Sequence, residues 1–151
     1  MRQVLFVCTG NSCRSPMAEG LLRAALPEGS EWRVASAGTH AWGGDEASDH
    51  SVTAMSEKGV SIRSHRSQPV TRDLIAQSAV IIVMAQRHAD LLARDFPDCR
   101  DRIYLMRSFD PDSPPQSDVA DPVGGILADY RTCRDLLQKS IPGLLAFLAQ
   151  A

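Results

Sequence analysis

The sequence predicts a single α/β domain over residues 1–151, with three layers and a mostly parallel sheet of about four strands flanked by helices. Short apolar runs alternate with segments whose apolar residues recur at helical spacing, which is typical of a parallel sheet covered by helices. The run at Ala79–Met84 contains Val-Ile-Ile-Val, a pattern that favours a strand buried on both faces. No repeat, linker or low-complexity segment interrupts this alternation.

The first half of the chain predicts two strands and two helices. The apolar run Gln3–Val7 predicts the first strand, and Pro16–Ala25 follows as a helix because its leucines and alanines recur at helical spacing. Trp32–Ser36 predicts the second strand. Asp49–Lys58 predicts another helix, which Gly59 closes as a C-terminal cap.

The second half continues the same alternation. Asp73–Gln77 predicts a short helix before the Val-Ile-Ile-Val strand, and Gln86–Asp95 predicts a helix after it. Ile103–Leu105 predicts a short fourth strand. The last helix begins at about Ile126, and we expect Pro142-Gly143 to kink or end it.

Composition limits the classes of function. Hydrophobic residues make up 44% of the chain and charged residues 23%, which predicts a folded protein. A net charge of −2 gives no electrostatic reason to expect nucleic acid or a membrane as partner. No signal peptide is recognisable, no apolar run approaches the roughly 18 residues of a membrane span, and the four cysteines do not form a disulfide framework. We therefore expect a cytoplasmic protein.

The loop between the first strand and the first helix carries the chemistry. It reads Cys8-Thr9-Gly10-Asn11-Ser12-Cys13-Arg14-Ser15-Pro16. A cysteine just before a helix N-terminus is favoured as the thiolate, and the N–H groups there can cradle an oxyanion such as phosphate. The Arg14 guanidinium can bond two phosphate oxygens. We expect Ser15 to cap the helix and to approach the Cys8 sulfur, with Pro16 at the first helical position.

A long irregular stretch, Phe109–Gly125, offers the acid that a thiolate attacking phosphate requires. It contains Asp110, Asp112, Asp118 and Asp121. Asp121 is favoured because Asp-Pro-Val-Gly-Gly places glycines where the loop must approach a cleft. The other three aspartates are expected to do no more than solvate the loop.

These segments resemble the low-molecular-weight protein tyrosine phosphatase family across nearly the whole chain. The resemblance lies in the loop and the Met-Ala-Glu-Gly after it, in Ser36-Ala37-Gly38-Thr39, in His65-Arg66-Ser67 and in Asp121-Pro122. It implies a phosphocysteine on Cys8, with Asp121 acting first as acid and then as base, and neither metal nor cofactor. The residues that would bind the phosphoryl group are Thr9, Gly10, Asn11, Ser12, Cys13, Arg14 and Ser15.

The resemblance also implies supporting roles. Asn11 would hold the loop through side-chain hydrogen bonds, with Ser36 and His65 as partners. Cys13 would form a protective disulfide with Cys8. Cys99 and Cys133 match nothing catalytic and are expected to be structural thiols.

Three alternatives stay open at this stage. A thioredoxin-linked arsenate reductase shares the loop but relays through two further cysteines that this chain lacks, and a non-catalytic phosphate-binding module would not need all of Cys8, Arg14 and an Asp-Pro. Phosphorylated protein is the expected partner, with inorganic phosphate as a further ligand of the site. Phosphotyrosine-type phosphomonoesters are the first expected substrates, and phosphoarginine is the alternative. The alternative arises because tyrosine-directed members of the family carry a bulky apolar residue at the position of Ser12 and aromatic residues after the Asp-Pro, where this chain has Val123-Gly124-Gly125. Trp42 is a further candidate for contacting the substrate group.

Overall fold

The computed structural model describes residues 1–151 and contains one sheet of four parallel strands in the order β2-β1-β3-β4. The strands are β1 (Arg2–Cys8), β2 (Trp32–Gly38), β3 (Val80–Val83) and β4 (Ile103–Leu105). All four predicted strands are present, and the predicted α/β fold with a parallel sheet is confirmed. β2 runs two residues further than predicted, so that Gly38 pairs with Cys8 at the end of β1.

Five helices cover the sheet. They are α1 (Arg14–Ala25), α2 (Asp49–Ser56), α3 (Arg72–Gln77), α4 (Gln86–Asp95) and α5 (Leu127–Gln150), with short 3-10 segments at Pro97–Arg102 and Met106–Phe109. None of these helices combines the length and the hydrophobicity that crossing a membrane would require.

Alternate residues of β1 point into two separate cores. Val4, Phe6 and Cys8 belong to the larger core, which α1, α2 and α5 complete. Leu5 and Val7 belong to a smaller core with residues of α3 and α4. This alternation follows from the two-residue period of a strand and confirms the three layers. It also leaves Cys8 at the carboxyl edge of the central strands, where parallel sheets commonly bind ligands.

Helix α1 begins earlier than predicted. Arg14 is its first residue, and Cys13 precedes it without a side-chain capping bond. The predictions that Ser15 caps the helix and that Pro16 opens it are therefore wrong. Ser15 instead directs its hydroxyl at the loop, and Pro16 is tolerated inside the first turn because an N–H there would have no partner within the helix.

Helix α5 continues through Pro142-Gly143, so of the two expected outcomes, a kink or an end, the end is wrong. Buried side chains lie on both sides of the proline, namely Ile141, Leu144 and Leu148. They pack both halves of α5 against the larger core. Gly143 also has a packing role, since a Cβ there would overlap the backbone carbonyl of Phe109.

Helix α2 is tied to α5 at its C-terminal end. It ends at Ser56, and Gly59 then takes a left-handed φ of 73°, as expected for a closing glycine. Between them, Glu57 accepts hydrogen bonds from Arg131 and Arg134 of α5, which lower the pKa of its carboxyl to about 2.

Candidate active site

The loop at the end of β1 folds closely over β2. A Cβ on Gly38 would lie 2.5 Å from the carbonyl oxygen of Thr9 and 3.0 Å from the Asn11 nitrogen. The Thr39 and His40 N–H groups donate to the carbonyls of Cys8 and Thr9, both at 2.9 Å. Glycine at 38 is thus what lets the loop turn back across the sheet edge.

The Cys8 side chain lies at the base of this loop. Its sulfur is 2.8 Å from the Ser15 hydroxyl, which confirms the predicted approach of these two groups. Cys8 is only 2% exposed. A hydroxyl at this distance can donate to a sulfur anion and stabilise it.

Asn11 holds the loop in shape from inside. It is fully buried with a left-handed φ of 56°, and its amide nitrogen donates to the hydroxyls of Ser15 (2.8 Å) and Ser36 (3.0 Å). Its amide oxygen accepts from the Gln68 N–H at 2.9 Å, a partner that the sequence did not indicate. His65 does contact Asn11, but through Nε2, which donates to the main-chain carbonyl at 2.7 Å rather than to the side chain.

Arg14 is held from several directions. Its side chain is 2% exposed; Nη1 donates to the Val119 carbonyl at 3.0 Å, and Nη2 donates to the Thr9 hydroxyl at 3.4 Å and to Asp121 at 3.3 Å. The long loop therefore supplies two of the groups that fix this guanidinium.

Of the four candidate acids, the structure brings Asp121 to the site. One carboxylate oxygen lies beside Arg14, and the other accepts from the Val123 N–H at 3.1 Å. The side chain keeps 32% of its surface exposed. Asp121 is therefore close to the loop formed by residues 8–15, here called the phosphate loop, and is still partly open to solvent.

Two other aspartates do more than solvate the loop, so that expectation is wrong for them. Asp118 accepts from the Gln86 N–H at 2.9 Å, at the start of α4. Asp110 is 5% exposed and accepts from the N–H of Asp112 at 2.9 Å. Both carboxylates satisfy backbone donors and help to shape the segment that carries Asp121.

His88 is a site residue that sequence reasoning missed. It is 2% exposed in the first turn of α4, and its Nε2 lies 2.9 Å from the Thr9 hydroxyl. Burial, aided by the charge of Arg14, lowers the pKa of His88 to about 4, so the ring is neutral at neutral pH. Its position just after β3, at the same sheet edge as Cys8, was the available signal.

Of the residues proposed for substrate selection, Ser12 lies in the loop after β1, and the Val123 N–H donates to Asp121. Ser12 is half-buried, with its hydroxyl 3.7 Å from the Cys13 sulfur. Trp42 is 95% exposed and Val123 is 66% exposed. The roles of these three residues in substrate selection stay predictions.

The remaining thiols are buried and free. Cys13 lies 3.5 Å from the Ser48 hydroxyl and 3.7 Å from that of Tyr130, and its disulfide with Cys8 stays a prediction. Burial raises the pKa of Cys133 to about 12. Cys99 packs in the smaller core, on the other side of the sheet from the core that holds Cys8. No group of three or more His, Cys, Asp or Glu side chains is arranged to hold a metal ion.

This fold and this loop define a protein class. Residues 3–151 match the low molecular weight phosphotyrosine protein phosphatase family, and the chain belongs to that family.

Individual relatives divide between two named substrates. A protein-arginine-phosphatase of Geobacillus stearothermophilus is 39% identical over 94% of this chain and 93% of its own length. A probable low molecular weight protein-tyrosine-phosphatase of Erwinia amylovora, AmsI, is 36% identical over 99% of this chain and 94% of its own. A solved structure of the arginine phosphatase YwlE, a cysteine-to-serine mutant with a phosphorylated active-site serine, superposes with a TM-score of 0.90 at 34% identity, covering 97% of this chain and 95% of that one.

Proposed function

We propose that this protein is a cysteine-dependent phosphatase of phosphoproteins that works through a phosphocysteine on Cys8. The observation that supports this most strongly is the convergence of the Cys8 thiol, the buried Arg14 guanidinium and the Asp121 carboxylate on one loop. Phosphoryl transfer through a covalent intermediate requires a nucleophile, a cation that binds the phosphoryl oxygens, and a partly exposed carboxyl group that can exchange protons.

The reaction has two steps. The Cys8 sulfur attacks phosphorus, an S–P bond forms, and the bond to the leaving oxygen or nitrogen breaks as Asp121 gives that atom its proton. Asp121 then accepts a proton from water, whose oxygen attacks phosphorus and breaks the S–P bond to release phosphate. The phosphorylated serine in the YwlE mutant supports a covalent phosphoenzyme.

The remaining loop groups would bind and preorganise. Arg14 and the N–H groups of residues 9–15 would hold the phosphoryl oxygens, as well as the oxygens of the product phosphate. Asn11, with Ser36 and His65, would keep those N–H groups aimed at one point, since its hydrogen bonds fix a backbone conformation that few residues adopt.

For the substrate, we propose phosphoarginine on proteins. The small polar Ser12 and the Val123-Gly124-Gly125 segment give no bulky wall for a phenyl ring, and a guanidinium is polar around its whole edge. The arginine phosphatase of G. stearothermophilus supports this choice. Phosphotyrosine is the second candidate, supported by the family and by AmsI. A single domain over residues 1–151 and action in the cytoplasm belong to the same proposal.

A generic aryl phosphate tests the activity itself. We expect the wild-type protein to hydrolyse it and Cys8→Ser to lose at least about a thousandfold in kcat, because a serine hydroxyl is a far weaker nucleophile at neutral pH. Cys99→Ser is the matched control, since it changes a buried cysteine in the other core and should keep activity. Equal rates for wild type and Cys8→Ser would refute the phosphatase mechanism.

Paired substrates test the specificity. We expect higher kcat/KM on a phosphoarginine protein than on a phosphotyrosine protein, and we expect Ser12→Ile to shift the ratio about tenfold or more toward phosphotyrosine by adding an apolar wall. Ser12→Thr keeps the hydroxyl and should retain the wild-type preference. If Ser12→Ile leaves the ratio unchanged, Ser12 is not the selector.

A further inference from the structure

His88 reaches the phosphate loop from a different element. Its ring is buried on α4, and Nε2 lies 2.9 Å from the Thr9 hydroxyl oxygen. The same oxygen accepts from Nη2 of Arg14 at 3.4 Å. An imidazole, a hydroxyl and a guanidinium thus form a chain of contacts that ends on the cation of the candidate site.

The contacts around His88 favour one direction for this chain. Nδ1 of His88 is buried and has no partner. If Nε2 accepts the Thr9 hydroxyl hydrogen, one group, the Nδ1–H, is left unpaired. If Nε2 donates instead, Nδ1 is bare and the hydrogen of the partly buried Thr9 hydroxyl has no acceptor within the protein. The first arrangement is favoured because it pairs that hydrogen while the same oxygen still accepts from Arg14.

We propose that His88 is a positioning residue for Arg14. The neutral ring, protonated on Nδ1, accepts the Thr9 hydroxyl hydrogen at Nε2, and this turns a lone pair of the Thr9 oxygen toward Nη2 of Arg14. The inference rests on the proposed function, in which Arg14 binds the phosphoryl group.

The surroundings hold His88 in place for this role. Asp118 accepts the N–H of Gln86 at the start of α4, and the next residue, Val119, supplies the carbonyl that binds Nη1 of Arg14. The start of α4 is therefore tied to the same segment of the long loop that binds the guanidinium. The His88 ring, buried on α4, can set the orientation of Thr9 without touching a substrate.

Two amide variants separate positioning from simple packing. His88→Gln can place a carbonyl oxygen near the position of Nε2, whereas the shorter His88→Asn mimics only Nδ1. On an aryl phosphate we expect His88→Leu and His88→Asn to lower kcat about tenfold with KM changed less than about threefold, since the Arg14 contact strengthens in the transition state. His88→Gln should recover most of the lost kcat.

A double-mutant cycle tests the route through Thr9. We expect Thr9→Val to lower kcat like His88→Leu, and the double variant to be no worse than the worse single variant. Additive losses, or equal activity of the Gln and Asn variants at equal thermal stability, would overturn the proposal.

Two measurements are independent of turnover. Nitrogen-15 NMR of the histidine rings should show the Nδ1–H tautomer for His88, and the Nε2–H tautomer would contradict the inference. Inorganic phosphate should bind wild type and His88→Gln alike, and His88→Leu more weakly. If the wild type hydrolyses no phosphate ester, the proposed function fails, while these two readouts still decide the role of His88.

Discussion

At the scale of single residues, the phosphate loop depends on a buried amide. Asn11 carries no charge, yet its side chain satisfies two hydroxyls and one backbone N–H, and its φ of 56° sets the turn of the loop. Asparagine is among the few non-glycine residues that enter this left-handed region readily. The residue therefore combines a backbone requirement with a hydrogen-bonding one.

Two substitutions separate these requirements. We expect Asn11→Ala to lower the free energy of unfolding by about 3 kcal/mol because it leaves buried donors and acceptors unpaired. Asn11→Gly should be about 1 kcal/mol less damaging, since glycine relieves the left-handed strain. Urea unfolding measures the stability, and titration with inorganic phosphate should show weaker binding by both variants. An alanine variant at least as stable as the glycine variant would contradict the backbone argument.

At the scale of elements, α5 contains two adjacent residues that are poor helix formers but have different reasons to be there. Pro142 is exposed, lacks an N–H and leaves the Gln138 carbonyl without its helical partner. Gly143 is where the Phe109 backbone approaches α5 too closely for any side chain. By intrinsic helix propensity, both residues destabilise the helix. Once packing is considered, only Pro142 does, because Gly143 is needed for the close contact with Phe109.

Alanine at these two positions should therefore have opposite effects. We expect Pro142→Ala to raise the free energy of unfolding by about 1–3 kcal/mol, because it restores a helical hydrogen bond. Gly143→Ala should lower it by about 1–3 kcal/mol despite the gain in propensity, because the methyl group overlaps the Phe109 carbonyl. Denaturant unfolding of both variants checks this. Stabilisation by Gly143→Ala would mean that the Phe109 segment yields easily.

At the scale of the whole molecule, two groups make stability depend on pH on the acid side. The pKa of His88 lies at about 4 in the folded protein against an ordinary 6.5, chiefly because the ring is buried, with Arg14 and Arg87 adding to the shift and Asp118 and Asp121 opposing it. Hydrogen bonds from Arg131 and Arg134 lower the pKa of the Glu57 carboxyl from 4.5 to about 2. The ionised carboxyl therefore stabilises the folded protein fully above pH 4.5.

The sign of each effect follows from proton binding. Below pH 6.5 the unfolded chain binds a proton at His88, whereas the folded protein binds that proton only near pH 4. We expect the free energy of unfolding to fall across this window by up to about 3 kcal/mol from His88, at about 1.4 kcal/mol per pKa unit. The Glu57 contribution is lost later, as pH falls from 4.5 toward 2.

Urea unfolding between pH 7.5 and 4 measures the His88 contribution as a difference. The variant His88→Gln does not titrate, so its stability should fall less steeply than that of the wild type over this range. Parallel curves for the two proteins would mean that His88 titrates normally in the folded state. Glu57→Gln serves as the control, because it should alter the curve only at the acid end.

Much of the molecule could be predicted because its strongest signals are local. Apolar runs and helical spacing set the strands and helices. The chemistry of the loop that holds Cys8 and Arg14 predicted that an acid, with Asp121 preferred, would share its site. The start of α1 was misplaced because Ser15 and Pro16 carry familiar capping signals, while the Ser15 hydroxyl is used by Cys8 and Asn11 instead. The alternative that Pro142-Gly143 would end α5 was wrong because burial on both sides of Pro142 outweighs its local effect.

The sequence by itself determined the fold class and indicated the proposed nucleophile, arginine and acid, since each depends on residue type and on neighbours close in the chain. Only the tertiary structure brought His88 to Thr9, Gln68 to Asn11 and Asp118 to the start of α4. Those contacts join segments far apart in the chain, and no local pattern encodes which distant donor meets which acceptor. They decide how rigidly the site is held, because buried polar groups must find partners wherever the packing places them.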